Sequence, residues 1–250
     1  MSISLRLCAD QANSSRDDFD ETITLQVGGD VGGRELIIHR SVAAKNSTYI
    51  LEQNDSSSIS LPPEAGDCDT VLDFVQFCYT GTTTTGEVNT CDRDVLYKDY
   101  IRLYMCAEQL GCPDLLNYCV DKIIKVYEDC DSPPEASDVA GVWEKTATGC
   151  KLRDLLCDMW IASMTKEKLL ACSSDLPHAF IVLLAAASME GAKIEKPTSA
   201  TRFRYHEKTE EDDEYEMIDV AEGQHDSETN SKQTVEAHGD QDDGWELIDA

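Results

Sequence analysis

The sequence predicts an α+β fold: a small sheet packed on a helical cluster, followed by an all-helical extension and a disordered acidic tail. Three observations predict it. Three short segments with strand-type alternation lie before Pro62. The longer apolar patterns after Asp69 have helical spacing. From Pro197 to Ala250 there are 17 acidic and 4 basic residues, a net of −13, with apolar residues scattered singly or in two small clusters. Strands first and helices afterwards is the order of an α+β domain. A segment so acidic and so poor in apolar residues cannot offset its ordering entropy by burial. The expected divisions are an amino-terminal arm at 1–20, a mixed domain at 21–130, a helical extension at 135–192 and a disordered tail at 193–250.

In the arm, Ile3, Leu5 and Leu7 alternate with Ser2, Ser4 and Arg6. This strand signal finds no partner nearby, so the sheet edge of a second copy is the expected one. Ile3, Leu5 and Leu7 are therefore candidate dimer-interface residues. Thr22 to Val27 (TITLQV) alternates, Gly28 to Gly33 (GGDVGG) reads as a turn, and Glu35 to His39 (ELIIH) is rich in β-formers. Together they form a hairpin signal. Ser57 to Leu61 (SSISL) is a further short strand, closed by Pro62 and Pro63.

Asp69 to Tyr79 carries Val71, Leu72, Phe74, Val75 and Cys78 at helical spacing, with Gly81 as a stop just beyond. Asp94 to Leu110 is a second helix, punctuated by Gly111 and Pro113. Leu115, Leu116, Cys119, Val120, Ile123, Ile124 and Tyr127 trace one face of a third. After Pro133 and Pro134 a second helical group begins, with Leu152, Leu155, Leu156, Met159, Trp160 and Ser163 on one stripe. A final buried helix runs from about Pro177 to Met189.

Composition excludes several roles. The chain of 250 residues has a formal net charge of −28. A polyanion needs clustered Lys and Arg to displace its counterions, so nucleic acid is not an expected partner. Ala179 to Ala187, the most apolar run, is about half of the roughly 18 residues a membrane span requires. The amino terminus lacks the continuous apolar stretch of a signal peptide. The cysteine count of 11 is odd, and Cys78, Cys106, Cys119 and Cys157 fall at apolar helix positions. They read as reduced core residues of an intracellular protein, in cytoplasm, nucleus or both. With no C-x-x-C and no nearby His pair, no metal or other cofactor is expected.

The Gly28–Gly33 loop does not match a phosphate-binding glycine pattern, and a strand, not a helix, follows it. His39 reads as a structural hydrogen-bonding residue, and His178 as a residue satisfying a helix start. Neither a nucleophile elbow nor a paired-carboxylate signature is present, so enzyme activity is not expected.

Glu21 to about Tyr127 resembles a BTB/POZ domain. The likeness rests on the strand and hairpin, on His39-Arg40 followed by Val42-Ala43-Ala44 and Ser47, and on Ile59-Ser60-Leu61-Pro62. It continues through Phe77-Cys78-Tyr79-Thr80-Gly81 and through Ala107-Glu108-Gln109-Leu110-Gly111 with Leu115 and Cys119. His39, Arg40, Tyr79, Thr80 and Gly81 are the fold signature. Ala43 and Ile50 depart from the family pattern, which implies a thinner first helix pair. The segments at Leu152–Leu155 and Leu176–Phe180 are similar to the helical extension of fungal members. The resemblance implies an interaction module, commonly a homodimer, and a dimerising scaffold or adaptor is the expected role. A substrate adaptor of a cullin-scaffolded ubiquitin ligase is the alternative. The apolar-x-Glu motif of such adaptors is not obvious here, since Leu51 is followed directly by Glu52.

The tail contains a repeat. Residues 212–219 (DDEYEMID) and 242–249 (DDGWELID) share the form D-D-x-aromatic-E-apolar-Ile-Asp. An extended peptide of this form offers an aromatic and an Ile to two neighbouring pockets, with carboxylates for a basic rim. Tyr215 with Ile218 and Trp245 with Ile248 are the candidate anchors. The pattern resembles ligands of ubiquitin-like autophagy modifiers, and two copies would raise avidity. Docking onto the protein's own helical extension, or a purely solubilising role, are the other readings.

Overall fold

Alternation in TITLQV puts Ile23, Leu25 and Val27 on one face of strand β1 (Thr22–Val27), and all three are buried. Strand β2 (Arg34–His39) runs antiparallel to it, with Leu36 opposite Leu25 and Ile38 opposite Ile23. Helices α1 (Arg40–Asn46) and α2 (Thr48–Glu52) then carry the chain to strand β3 (Ser58–Ser60). β3 lies parallel to β1, with Ile59 beside Leu25. Parallel pairing requires a crossover, and the two short helices supply it. The sheet order is β2-β1-β3, so the strand with the most buried apolar side chains is central.

This is a computed structural model, and the residues it describes are 21–28, 33–53, 56–85, 92–189 and 195–209. The arm with Ile3, Leu5 and Leu7, and the tail anchors Tyr215, Ile218, Trp245 and Ile248, lie outside the described residues. The chain divides into units 1–209 and 210–250, of which only the first contains described residues.

Helix α3 (Cys68–Thr80) begins on Asp67, whose carboxylate accepts the Thr70 N–H at 2.9 Å. That bond, with the Thr70 hydroxyl, holds the Asp67 carboxyl below its ordinary range. Helices α4 (Arg93–Leu110) and α5 (Pro113–Cys130) pack on each other, and α4 also packs on α3. The turn between α4 and α5 needs glycine twice over. Gly111 has φ +60, and a Cβ there would lie 2.0 Å from Thr48 Oγ1. The close approach is where the junction of α1 and α2 docks: Ser47 is buried, its hydroxyl donates to Leu110 O, and Thr48 N–H donates to Gly111 O. Ala43 of α1 and Ile50 of α2 are both buried.

Helices α6 (Ala136–Lys145), α7 (Lys151–Ser163), α8 (Lys166–Cys172) and α9 (His178–Met189) complete the helical part. Phe180 of α9 is fully buried, edge-on to Trp143 at 4.9 Å and to Trp160 at 5.6 Å between ring centroids. Arg153 stacks on Trp143 and donates to the Trp143 carbonyl and to Thr146, closing the turn between α6 and α7. One hydrophobic cluster runs without a break from Ile23 of the sheet to Leu184 of α9. The architecture is therefore mixed α+β and mostly helical. Among the described residues no helix is long and apolar enough to cross a membrane.

Residues 195–209, which composition groups with the acidic tail, lie on this folded unit. Their 3-10 turn, Arg202–Tyr205, contacts α5 and α7, and Tyr205 is buried.

Candidate interaction surface

His39, Arg40, Tyr79, Thr80 and Gly81 brace the fold. His39 ends β2 and Tyr79 lies 40 residues later, near the end of α3. The His39 N–H donates to the Tyr79 oxygen at 3.0 Å, and His39 Nδ1 lies 2.6 Å from the same oxygen. An oxygen already accepting one N–H fits best as a donor to Nδ1, which assigns the ring proton to Nε2. Burial pushes the Tyr79 hydroxyl up, keeping that donor in place. Arg40 gathers three stretches of chain. Its N–H donates to Glu21 O, its guanidinium donates to Ser56 O at 2.7 Å, and its Nε sits 2.8 Å from the Glu21 carboxylate. Thr80 donates to the carbonyls of Gln76 and Thr82, and Gly81 at φ +69 caps α3 by donating to Phe77 O.

Tyr79→Phe removes the hydroxyl but leaves the ring, so the His39 amide and Nδ1 lose their partner. The expected cost is about 1–3 kcal/mol, read as a lower urea midpoint at unchanged m-value. An unchanged midpoint would show that the latch is solvated rather than structural.

The sheet is one-sided. Its inner face carries Ile23, Leu25, Val27, Ile38 and Ile59, while the outer face carries Thr22, Thr24, Gln26, Ser58 and Ser60. The large apolar exception on the outer face is Ile37, which is 69% exposed on β2. β2 is also an edge of the sheet. An edge strand carries backbone donors and acceptors available to another chain, and an exposed Ile adds apolar area to that offer. Alternation alone does not single out Ile37 or this edge, although ELIIH contains the signal: three adjacent apolar residues cannot all face inward from a strand.

Two adjoining clefts lie elsewhere. One, of about 390 Å³, is lined by Pro63, Gly66, Asp67, Thr70, Arg102 and Met105 among others. The next, of about 250 Å³, shares Asp67, Thr70 and Arg102 and adds Asp69, Asp73 and Asp99. Asp73 in this second cleft is spoken for, since Thr84 donates to it through both its N–H and its hydroxyl. Burial raises the Asp99 carboxyl. A third cleft, of about 480 Å³, lies beside Pro133, Pro134, Trp160 and Lys168. Among the described residues no group of three or more His, Cys, Asp or Glu could hold a metal ion.

The strap at 195–209 is a further surface element, within the stretch whose composition predicts disorder. A signal for it does exist: three of the four basic residues after Pro197 are Arg202, Arg204 and Lys208, interleaved with Phe203, Tyr205 and His206. The Tyr205 hydroxyl donates to Asp158 of α7 at 2.7 Å, and Asn117 of α5 exchanges two hydrogen bonds with the Glu207 backbone. His206 and Arg202 both lie against Asp121 of α5.

No protein-family model matches the chain, and no curated protein matches it.

Proposed function

We propose that residues 21–130 form a BTB/POZ-type module and that the chain is a dimerising scaffold or adaptor, binding other proteins without catalysis of its own. The observation that carries this reading is the β2 edge, which among the described residues pairs with β1 alone and carries exposed Ile37. The element order β1-β2-α1-α2-β3-α3-α4-α5 supports it, and so does the latch between His39 and Tyr79, which joins two stretches of the quoted signature. The expected edge partner is the strand signal at Ile3, Leu5 and Leu7 of a second copy. All nine described cysteines are free thiols, which supports an intracellular setting in cytoplasm, nucleus or both.

Light scattering coupled to size exclusion tests the reading. The full chain should elute at twice its mass of 27.7 kDa, and replacing Ile3, Leu5 and Leu7 by Ser should return it to one chain. A single-chain mass at tens of micromolar overturns the dimer. Adding a cullin amino-terminal domain separates the two roles: a larger complex makes ubiquitin-ligase adaptor the answer, and no shift leaves the scaffold.

A second reading rests on the repeated DDEYEMID and DDGWELID segments. They fit ligands of a ubiquitin-like autophagy modifier. Substituting Tyr215 and Trp245 by Ala should abolish capture by such a modifier, and unchanged capture removes the idea.

A further inference from the structure

Buried Pro197 and Tyr205 and a set of polar contacts hold the strap down, and one of the polar contacts is built to be reversed. The Ser199 N–H donates to Glu128 Oε1 at 2.9 Å, and its hydroxyl donates to Oε2 at 2.7 Å, so a single exposed serine satisfies both oxygens of one carboxylate on α5. These two donors hold the Glu128 carboxyl below its ordinary range. The neighbouring hydroxyls differ: those of Thr198 and Thr201 are half-buried and turned to each other. Ser199 also stands in a cationic stretch of an otherwise acidic chain, with Lys196 three residues before it and Arg202 and Arg204 after it. An exposed serine between cations suits the acidic substrate cleft of a basophilic protein kinase.

We propose that Ser199 is a phosphorylation site and that its modification lifts the strap from α5. In the reaction Ser199 Oγ attacks the γ-phosphorus of ATP. The new O–P bond forms as the bond from that phosphorus to the β,γ-bridging oxygen breaks, ADP leaves, and the hydroxyl proton passes to the kinase's base. The product has lost the O–H that donates to Glu128 and has gained about −1.5 to −2 charge against the same carboxylate. Attraction becomes repulsion. The phosphate also competes for Lys196 and Arg202, whose partners in the closed strap are Asp131 and Asp121. Both effects act in one direction. Lifting the strap bares Asn117, Asp121, Glu128 and Asp158, an acidic groove suited to a basic segment of another protein.

The test uses the full chain with phosphoserine installed at position 199 during translation. Trypsin needs an extended substrate backbone, so it cuts after Arg202 and Arg204 faster once their 3-10 turn leaves α5 and α7, and the bond after Lys196 precedes Pro197 and resists cleavage. Cleavage at the two arginines, followed by mass spectrometry, should be about tenfold faster or more than in the unmodified chain. Ser199→Ala keeps the backbone donor and should change the rate by less than about threefold. Glu128→Gln removes the repelling charge and should blunt the phosphoserine effect. Equal cleavage rates with and without phosphoserine overturn the release. The acceptor is tested separately with a cyclic-AMP-dependent kinase and ATP: modification of Ser199 is expected, and an unmodified Ser199, with or without phosphate on other residues, overturns the site.

Discussion

Phe180→Ala is expected to lower stability by about 3–5 kcal/mol, the largest loss for any single side chain of α9. The ring is fully buried and fills the angle between Trp143 of α6 and Trp160 of α7. Its removal deletes two edge-to-face contacts and leaves a cavity that the rigid indoles cannot collapse into. α9 has little else to hold it, because Phe180 and Leu184 are its buried side chains. A urea titration should show a lower midpoint, and Val182→Ala on the same helix, at 51% exposure, should shift it by under about 0.5 kcal/mol. Equal effects of the two substitutions would mean that α9 is not seated between the tryptophans.

The second large effect is alkaline. Cys106 and Cys112 are fully buried, and burial pushes both thiols from an ordinary 9.0 up to about 12. Cys119 and Cys78 are raised for the same reason. Well below pH 9 the thiols are neutral in the folded and the unfolded chain, so their contribution is fully present. Above it the unfolded chain ionises while the folded one does not, and stability is lost as pH rises from about 9 toward 12. Each thiol removes about 1.4 kcal/mol per pH unit in that window, so Cys106 and Cys112 together remove about 3 kcal/mol per unit, or about 6 by pH 11. Against a typical total of about 5–15 kcal/mol, the fold should be lost near pH 11. Circular dichroism and thiol-reagent kinetics should change together. Full thiol reactivity at pH 8 with an intact spectrum would contradict this account.

Much of the fold was legible because its longer elements repeat a period. Val71, Phe74 and Val75 mark α3, and Leu115 to Tyr127 mark α5, both confirmed as buried faces. The hairpin was legible through its alternation and its glycines. What periodicity could not show was the order of the sheet: that β3 skips over β2 to pair parallel with β1 depends on a crossover of two helices. Those helices span seven and five residues, and α8 also spans seven. Two turns are too few to establish a repeat. The surface was less legible than the core. His39 and Tyr79 meet across 40 residues, a distance on which spacing is silent. Tyr205 was hidden by averaging, because net charge over 197–250 dilutes a cationic, aromatic island at its head.

The strap also has a place in time. Asn117 is made 90 residues before its partner Glu207. At about 5–20 residues per second, α5 spends roughly 5–20 s with its acidic face bare before the segment that covers it has been synthesised. Any basic segment that reached α5 in that interval would meet a nascent form of this protein that the finished chain conceals, and closure of the strap ends that interval.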